Sequence, residues 1–471
     1  MSIVQGYTSS EEESDASNQS VVVEPPAKKL KTFAGSFQTL PIDDSTFENS
    51  RHNESRKISK EAKKLAKQLK NKRYKNGKST DPWSHNSTDD EQQPVLEPVN
   101  EPEPTEPVDT DPTFEPTSEY VGSQEFDYQG RTYMTIPKHL TDPQPSTERF
   151  VPKKVIHTFP GHAKGVNRLQ FFPNSGHLLL SCGNDNLIKL WCIASTNPVS
   201  APYELLRVFR GHELAVRDVK FNGTGDKFLS CGYDKRVHLW DTQSGRVLRT
   251  VVVDAMPNVV LFNPNDEDEF VVGLTNSKIV HYKMSGISYR TPIQTYDHHQ
   301  GGIIDLVNLA SCEEDGDRKG SGALFISSSE DKTVRFWKWQ VNIPEKVITD
   351  PSQHSLPSIK PHPNANYIAA QSMDNSVKVV HSYGKFKWYK KKVFRGHNVA
   401  GYGIEIGFSP DGKILMSGDS KGYAYFWDWK SCKLVTKLKV SEKMVKCIVF
   451  HPRESSKVAV AGASGEIYYC D

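Results

Sequence analysis

The chain holds 471 residues, with 59 Lys and Arg against 57 Asp and Glu, for a formal net charge of +2. Apolar residues make up 36 %, too few for a chain of this length to be globular throughout, so part of it is expected not to fold by itself. No apolar run approaches the roughly 20 residues a membrane helix needs. The opening Ser2-Ile3-Val4-Gln5 leads into Glu11-Glu12-Glu13 rather than a basic and then apolar leader, so neither a secretory signal nor a membrane partner is expected. The cysteines are scattered with no C-x-x-C spacing. This suits a reducing compartment, with Cys182, Cys231 and Cys447 read as small buried hydrophobes.

Residues 1–125 read as a long, mostly disordered arm. Ser9 to Ser20 is a Ser/Glu/Asp tract, and Glu91 to Glu119 repeats Glu-Pro steps, where missing donors and like charges keep a chain extended. Pro26-Ala27-Lys28-Lys29-Leu30-Lys31 reads either as a nuclear import signal or as a chance basic cluster. Within 56–75, Ile58, Ala62, Leu65, Ala66 and Leu69 recur at helical spacing, which predicts one short basic helix. Residues 126–150 read as an anchoring segment. Here Phe126, Tyr128 and Tyr133 are aromatics without a core of their own, and Arg131 is suited to bidentate bonds. Their docking surface is either the folded domain that follows or another protein.

From 151 to 471, short β-rich runs alternate with Gly/Asn/Asp turns, and an internal repeat emerges. Gly161-His162 opens a unit closed by Ser181, Asp185 and Trp191. Gly211-His212 opens a second with Ser230, Asp234 and Trp240 at the same spacing. Ser327, Asp331 and Trp337 repeat it behind His298-His299. Gly396-His397 leads to Ser417 and Trp427, but Lys421 stands where Asp belongs. Weaker units lie at Val259–Tyr282, His354–Val380 and Val445–Cys470, giving seven. These residues resemble the WD repeat, whose units of about 40–45 residues each form one four-stranded blade. The resemblance implies an all-β fold, a seven-bladed WD40 β-propeller, in which His, Ser, Asp and Trp share a structural hydrogen-bond network. A catalytic Ser/His/Asp reading is set aside because the set recurs unit after unit with Ser inside a strand. The last unit ends after three strands, so strand 154–159 is expected to supply its fourth and close the ring.

Words around the repeats go further. Phe126-Asp127-Tyr128-Gln129-Gly130-Arg131-Thr132-Tyr133, Val151-Pro152-Lys153-Lys154, Ala215-Val216-Arg217-Asp218, Gln371-Ser372-Met373-Asp374-Asn375 and Val399-Ala400-Gly401-Tyr402 resemble the pre-mRNA-processing factor 17 family. The resemblance runs from about residue 126 to the C-terminus. Upstream, Asp81-Pro82-Trp83 matches only the start of a family element. The resemblance implies a non-catalytic nuclear splicing factor of the second transesterification step, with spliceosomal proteins as partners and snRNA or pre-mRNA as a further partner. Other propeller classes, a ubiquitin-ligase substrate receptor or a chromatin scaffold, are the alternatives, and the arm shows no adaptor motif.

No P-loop, nucleotide fingerprint or metal-ligand spacing is present, so no cofactor, metal or small-molecule substrate is expected. Lys385, Lys387, Trp388, Lys390, Lys391 and Lys392, interleaved with Phe386 and Tyr389, read either as an RNA-binding stretch or as an outer strand whose alternate aromatics pack inward.

Overall fold

The computed structural model describes residues 115–471 apart from 127, 142–147, 194–201, 287, 310–323, 351–352, 383–385 and 400. The expected basic helix at 56–75, the cluster Pro26–Lys31, the Asp81-Pro82-Trp83 element and Lys385 lie outside the described residues.

Seven antiparallel sheets form the blades of a β-propeller. Blades one to six occupy 166–210, 216–252, 257–296, 303–348, 358–395 and 406–439, each with four strands in chain order from the bore outward. Blade seven takes three strands from 445–470 and its outermost from Val155–Phe159. In that seam Val155 lies opposite Cys470 and Phe159 opposite Ile467. The N–H groups of Lys153 and Lys154 both donate to the carbonyl of Asp471 at 2.9 Å, so the chain's end is clasped to the start of the ring. The outer edge of the last blade is thereby paired rather than left open.

Local sequence explains the sevenfold regularity. The turn between second and third strands places one residue in the left-handed region in every blade: Asn186, Lys235, Ser277, Lys332, Asn375, Gly422 and Gly465. An L-residue pays a steric cost there, and a side-chain oxygen one position earlier offsets it by accepting the N–H two residues on. Asp185 accepts from Leu187, Asp234 from Arg236, Asn276 from Lys278 and Asp331 from Thr333. The repeated Asp is therefore first of all a turn residue.

The core lies between blades. Trp191 packs with Phe159, Cys447 and Tyr469 of blade seven, and Trp240 with Leu178, Leu180 and Phe209 of blade one. Burying about 200 Å² of each indole is worth roughly 5 kcal/mol by area. Bulges in the innermost strands re-aim side chains across the seams. The amides of Asn167 and Asn258 each reach the first carbonyl of the next blade, Val216 and Ile303, at 2.7 Å.

One boundary differs from expectation. The composition predicts an arm running to 125, but Thr117–Tyr120 forms a fifth strand on blade one, antiparallel to Leu205–Arg210. Four residues are too few for a readable alternation. What fixes them is the unpaired edge of a strand some 90 residues away. A four-residue helix, Lys138–Thr141, lies between this strand and the ring in the chain.

Candidate functional site

Blades one, two and four each hold the expected network complete. His162 bonds Asp185 through Nδ1 (2.8 Å) and Ser181 through Nε2 (2.9 Å), and Trp191 Nε1 donates to the same Ser181 oxygen at 3.0 Å. His212, Asp234, Ser230 and Trp240 repeat this with 2.9, 2.8 and 2.9 Å. Of the pair His298-His299 it is His299 that serves, with Asp331 at 2.8 Å, Ser327 at 2.7 Å and Trp337 closing at 2.8 Å. Proton roles follow from chemistry. The carboxylate only accepts and the indole only donates, so Nδ1 carries the hydrogen and the serine hydroxyl donates to Nε2.

That proton arrangement is also the one a hydrolase uses, but the setting removes any chemistry. Ser181, Ser230 and Ser327 are wholly buried, and their oxygens already accept an indole hydrogen. No substrate carbonyl can approach. Burial raises the Asp185 and Asp234 carboxyls, but the bond and charge of the facing imidazole together with backbone N–H groups outweigh it, and both sit below the usual carboxylate range. His212, Asp234 and His238 bring ligand-type atoms within 4.8 Å. Both nitrogens of His212 already serve Asp234 and Ser230, and His238 Nδ1 bonds Thr250 at 2.9 Å.

Blade six corrects the expectation for His397, Ser417 and Trp427. They do not form the shared network. Lys421 replaces the turn carboxylate, so Nδ1 of His397 has no hydrogen-bond partner among the described residues. Gln371 reaches across from blade five instead, accepting from His397 Nε2 at 3.0 Å and from Ser417 at 3.4 Å. An amide oxygen only accepts, so His397 here carries its hydrogen on Nε2, the opposite tautomer. Trp427 turns its N–H to the Arg395 carbonyl at 3.1 Å. Asp419, two positions before Lys421, accepts from the Asn398 N–H at 3.1 Å and from the Tyr425 hydroxyl at 3.3 Å.

The bore holds a feature the repeat did not announce. Arg168 of blade one bridges Asp218 of blade two (2.8 Å), Asp305 of blade four (3.3 Å) and Glu405 of blade six. Burial lowers the Arg168 pKa, yet the Asp218 and Asp305 carboxylates more than offset this and hold the guanidinium charged. Asp218 and Asp305 each also accept the N–H of the next blade's inner strand, from Val260 and Ile359. Lys360 lies beside this cluster. Burial first, then Lys220 and Arg168, pull it down to about 7. In the sequence these residues show only as charged positions within short inner strands that also carry other polar residues.

The anchoring segment divides. Tyr133 is 0 % exposed and so is removed as a partner contact: its hydroxyl donates toward the Thr242 and Gln243 carbonyls at 2.8 Å. Arg207, itself buried, donates to the Tyr133 oxygen (3.2 Å), to Ser118 (3.1 Å) and to Glu125 (2.6 Å), with the ring of Tyr120 stacked on that of Tyr133. Phe126 pairs with Thr132 across a small hairpin whose tip presents Tyr128, 88 % exposed, beside Phe126 at 58 %. Arg131 sits half-buried in the same hairpin.

The basic stretch forms the outermost strand of blade five, Trp388–Arg395. Phe386 and Trp388 pack toward the cluster shared with blade four, while Lys387, Lys390 and Lys391 are exposed. Lys392 is drawn 4.1 Å from the centre of the Trp429 ring.

A closed ring of seven blades carrying this repeated network defines a WD-repeat β-propeller. The WD domain, G-beta repeat model matches residues 153–192, 203–241, 290–338 and 388–428. Each match begins at or just ahead of the outermost strand of one blade and ends in the third strand of the next, the phase in which the ring is sewn shut. Over 443 residues the chain is 38 % identical to pre-mRNA-processing factor 17 of Saccharomyces cerevisiae, covering 91 % of this chain and 93 % of that protein. With the human protein of the same name it shares 39 % over 352 residues, 74 % of this chain and 58 % of the human one. Mouse WD repeat-containing protein 25 is more distant, at 24 % over 324 residues. The chain belongs to the pre-mRNA-processing factor 17 family.

Proposed function

We propose that this protein is a non-catalytic component of the nuclear spliceosome, acting in the second transesterification step as a platform while the 3′ splice site is docked. The observation that carries this reading is the identity of 38 % along nearly the whole of both chains with a pre-mRNA-processing factor. The sealed serines support a binding rather than a hydrolytic role. The surface offered to spliceosomal proteins is this hairpin, with Tyr128 at its tip and Phe126 and Arg131 beside it, next to Tyr133, which Arg207 and the Thr242 carbonyl hold. An exposed aromatic beside a well-anchored segment suits an interface anchor. The surface offered to snRNA or pre-mRNA is the cationic outer strand with Lys387, Lys390 and Lys391.

Splicing extract depleted of the protein tests this. The expected result is that cleaved 5′ exon and lariat intermediate accumulate and that added protein restores ligated product. Full splicing after depletion, or a block before the first cleavage, would sink the reading. Replacing Tyr128 and Phe126 with Ala is expected to leave the ring folded and to abolish rescue.

A further inference from the structure

In blade five the ladder between Ser376–His381 and Trp388–Arg395 breaks. Lys378 faces Val393 and Val380 faces Trp388, so 389–392 bow away from the single residue Val379. A cavity of about 270 Å³ opens at this bulge, lined by Asp350, Gln353, Lys378, Trp388, Lys390 and Arg395 among others. Its size falls near the lower end of small-ligand sites, about 300–1,000 Å³, enough for one nucleotide and far too small for a helix.

The polar groups of this cavity are unusual. Gln353 is 3 % exposed, and neither its amide nitrogen nor its amide oxygen has a hydrogen-bond partner among the described residues. The buried Nε1 of Trp388 is equally unpartnered there. Buried groups of this kind normally find partners, and here three unmet atoms belong to two residues that line one cavity. Lys378 is held by Asp374 at 3.0 Å, but Lys390 and Arg395 stand exposed at the rim. The ring of Tyr389 is 37 % exposed there.

We propose that this cavity takes one unpaired nucleotide of a single-stranded RNA, with its base edge on Gln353 and Trp388 and its phosphates on Lys390 and Arg395. A base edge offers a donor beside an acceptor, which satisfies both ends of the Gln353 amide at once. An acidic peptide side chain offers acceptors only and would set a carboxylate against the Gln353 oxygen. Cations at the rim with a partly exposed aromatic ring are the usual means of holding single-stranded backbone and base. The inference rests on the splicing reading and deepens it: it gives the RNA contact a pocket and a means of base preference.

The test uses the purified full chain and fluorescein-labelled octamers of A, C, G and U, read by anisotropy. One base is expected to bind best. Gln353→Leu should weaken that octamer about tenfold and erase the preference, leaving the salt dependence in place. Lys390→Ala with Arg395→Ala should keep the preference and lower the salt slope by about 0.7 for each phosphate no longer neutralised. Leu removes two unmet polar atoms at similar volume, so this variant should stay folded, and the Lys390 and Arg395 changes lie on the surface. Unchanged affinity and preference in Gln353→Leu overturns the proposal. So does ultraviolet crosslinking that maps away from Trp388 and Tyr389, or displacement of RNA by an acidic peptide that binds more tightly. If the tagged protein retrieves spliceosomal RNA from extract while the purified chain ignores all four octamers, the pocket fails and the splicing reading stands. If depletion leaves splicing intact while the octamers bind, the splicing reading fails alone.

Discussion

Blades one, two and four satisfy their repeat histidines, His162, His212 and His299, from within, whereas blade six borrows an amide from its neighbour. In the first three, one turn carboxylate does two jobs: it stabilises a left-handed turn and holds the imidazole hydrogen. In blade six the turn uses Gly422, which needs no such help, and the position before it became Lys421. The two jobs came apart, and Gln371 with Asp419 took up what remained. The repeat's residues are therefore one way of partnering a buried imidazole; in blade six Gln371 meets Nε2 of His397, and Nδ1 finds no partner among the described residues.

The largest difference between these blades is expected at the turn carboxylate. Asp234→Ala strands a buried imidazole and is expected to cost about 3 kcal/mol in urea denaturation. Lys421→Ala at the matching position of blade six should change stability by under ~0.5 kcal/mol. Equal losses would mean that the two blades depend on this turn alike.

Next in size is the serine. Ser230→Ala removes one oxygen that serves both His212 and Trp240, with an expected loss of about 2 kcal/mol. Ser417→Ala removes only a 3.4 Å bond to Gln371 and a bond to its own neighbour's carbonyl, and should cost below ~1 kcal/mol.

Acid should weaken the ring in two stages. Burial lowers His397 and His177 to about 4, and His238 and His451 to about 3. Each folded pKa lies below the unfolded value near 6.5, so below that pH the unfolded chain binds protons first. Their contribution is complete above about pH 6.5 and is lost as pH falls toward 4 and 3. The depressed Asp185, Asp234 and Asp331 add a second loss, beginning below about pH 4. Melting temperature should therefore decline in two stages. His397→Gln should reduce the slope of the first, and Asp234→Asn that of the second. A flat profile from pH 7 to 5 would contradict this.

The smallest effect is expected from restoring the carboxylate to blade six. Lys421→Asp offers His397 the missing acceptor and is expected to gain about 0.5–1 kcal/mol, limited by repulsion from Asp419. Imidazole nitrogen shifts in NMR should report a move of the hydrogen from Nε2 to Nδ1. Retention on Nε2 would show that Gln371 holds the ring more firmly than a carboxylate can.

The sequence by itself determined the blade count, the turn positions and the full networks of three blades, because all of these are set within some 40 residues by turn chemistry and period-two alternation. The family words near Tyr128 and Tyr133 were equally legible, but not their opposite fates. One ring is buried beneath Arg207 and the other stands in solvent, and that depended on where blades one and two placed their rims. Only the tertiary structure decided that Gln371 would reach His397 and that Arg168 would gather carboxylates from three other blades. It alone left Gln353 and Trp388 unmatched around one cavity. Arg168 meets carboxylates 137 and 237 positions away, and Gln371 stands outside the repeat's pattern, so no repeated spacing encodes these pairings. They exist once closure of the ring has fixed every blade's angle to its neighbours.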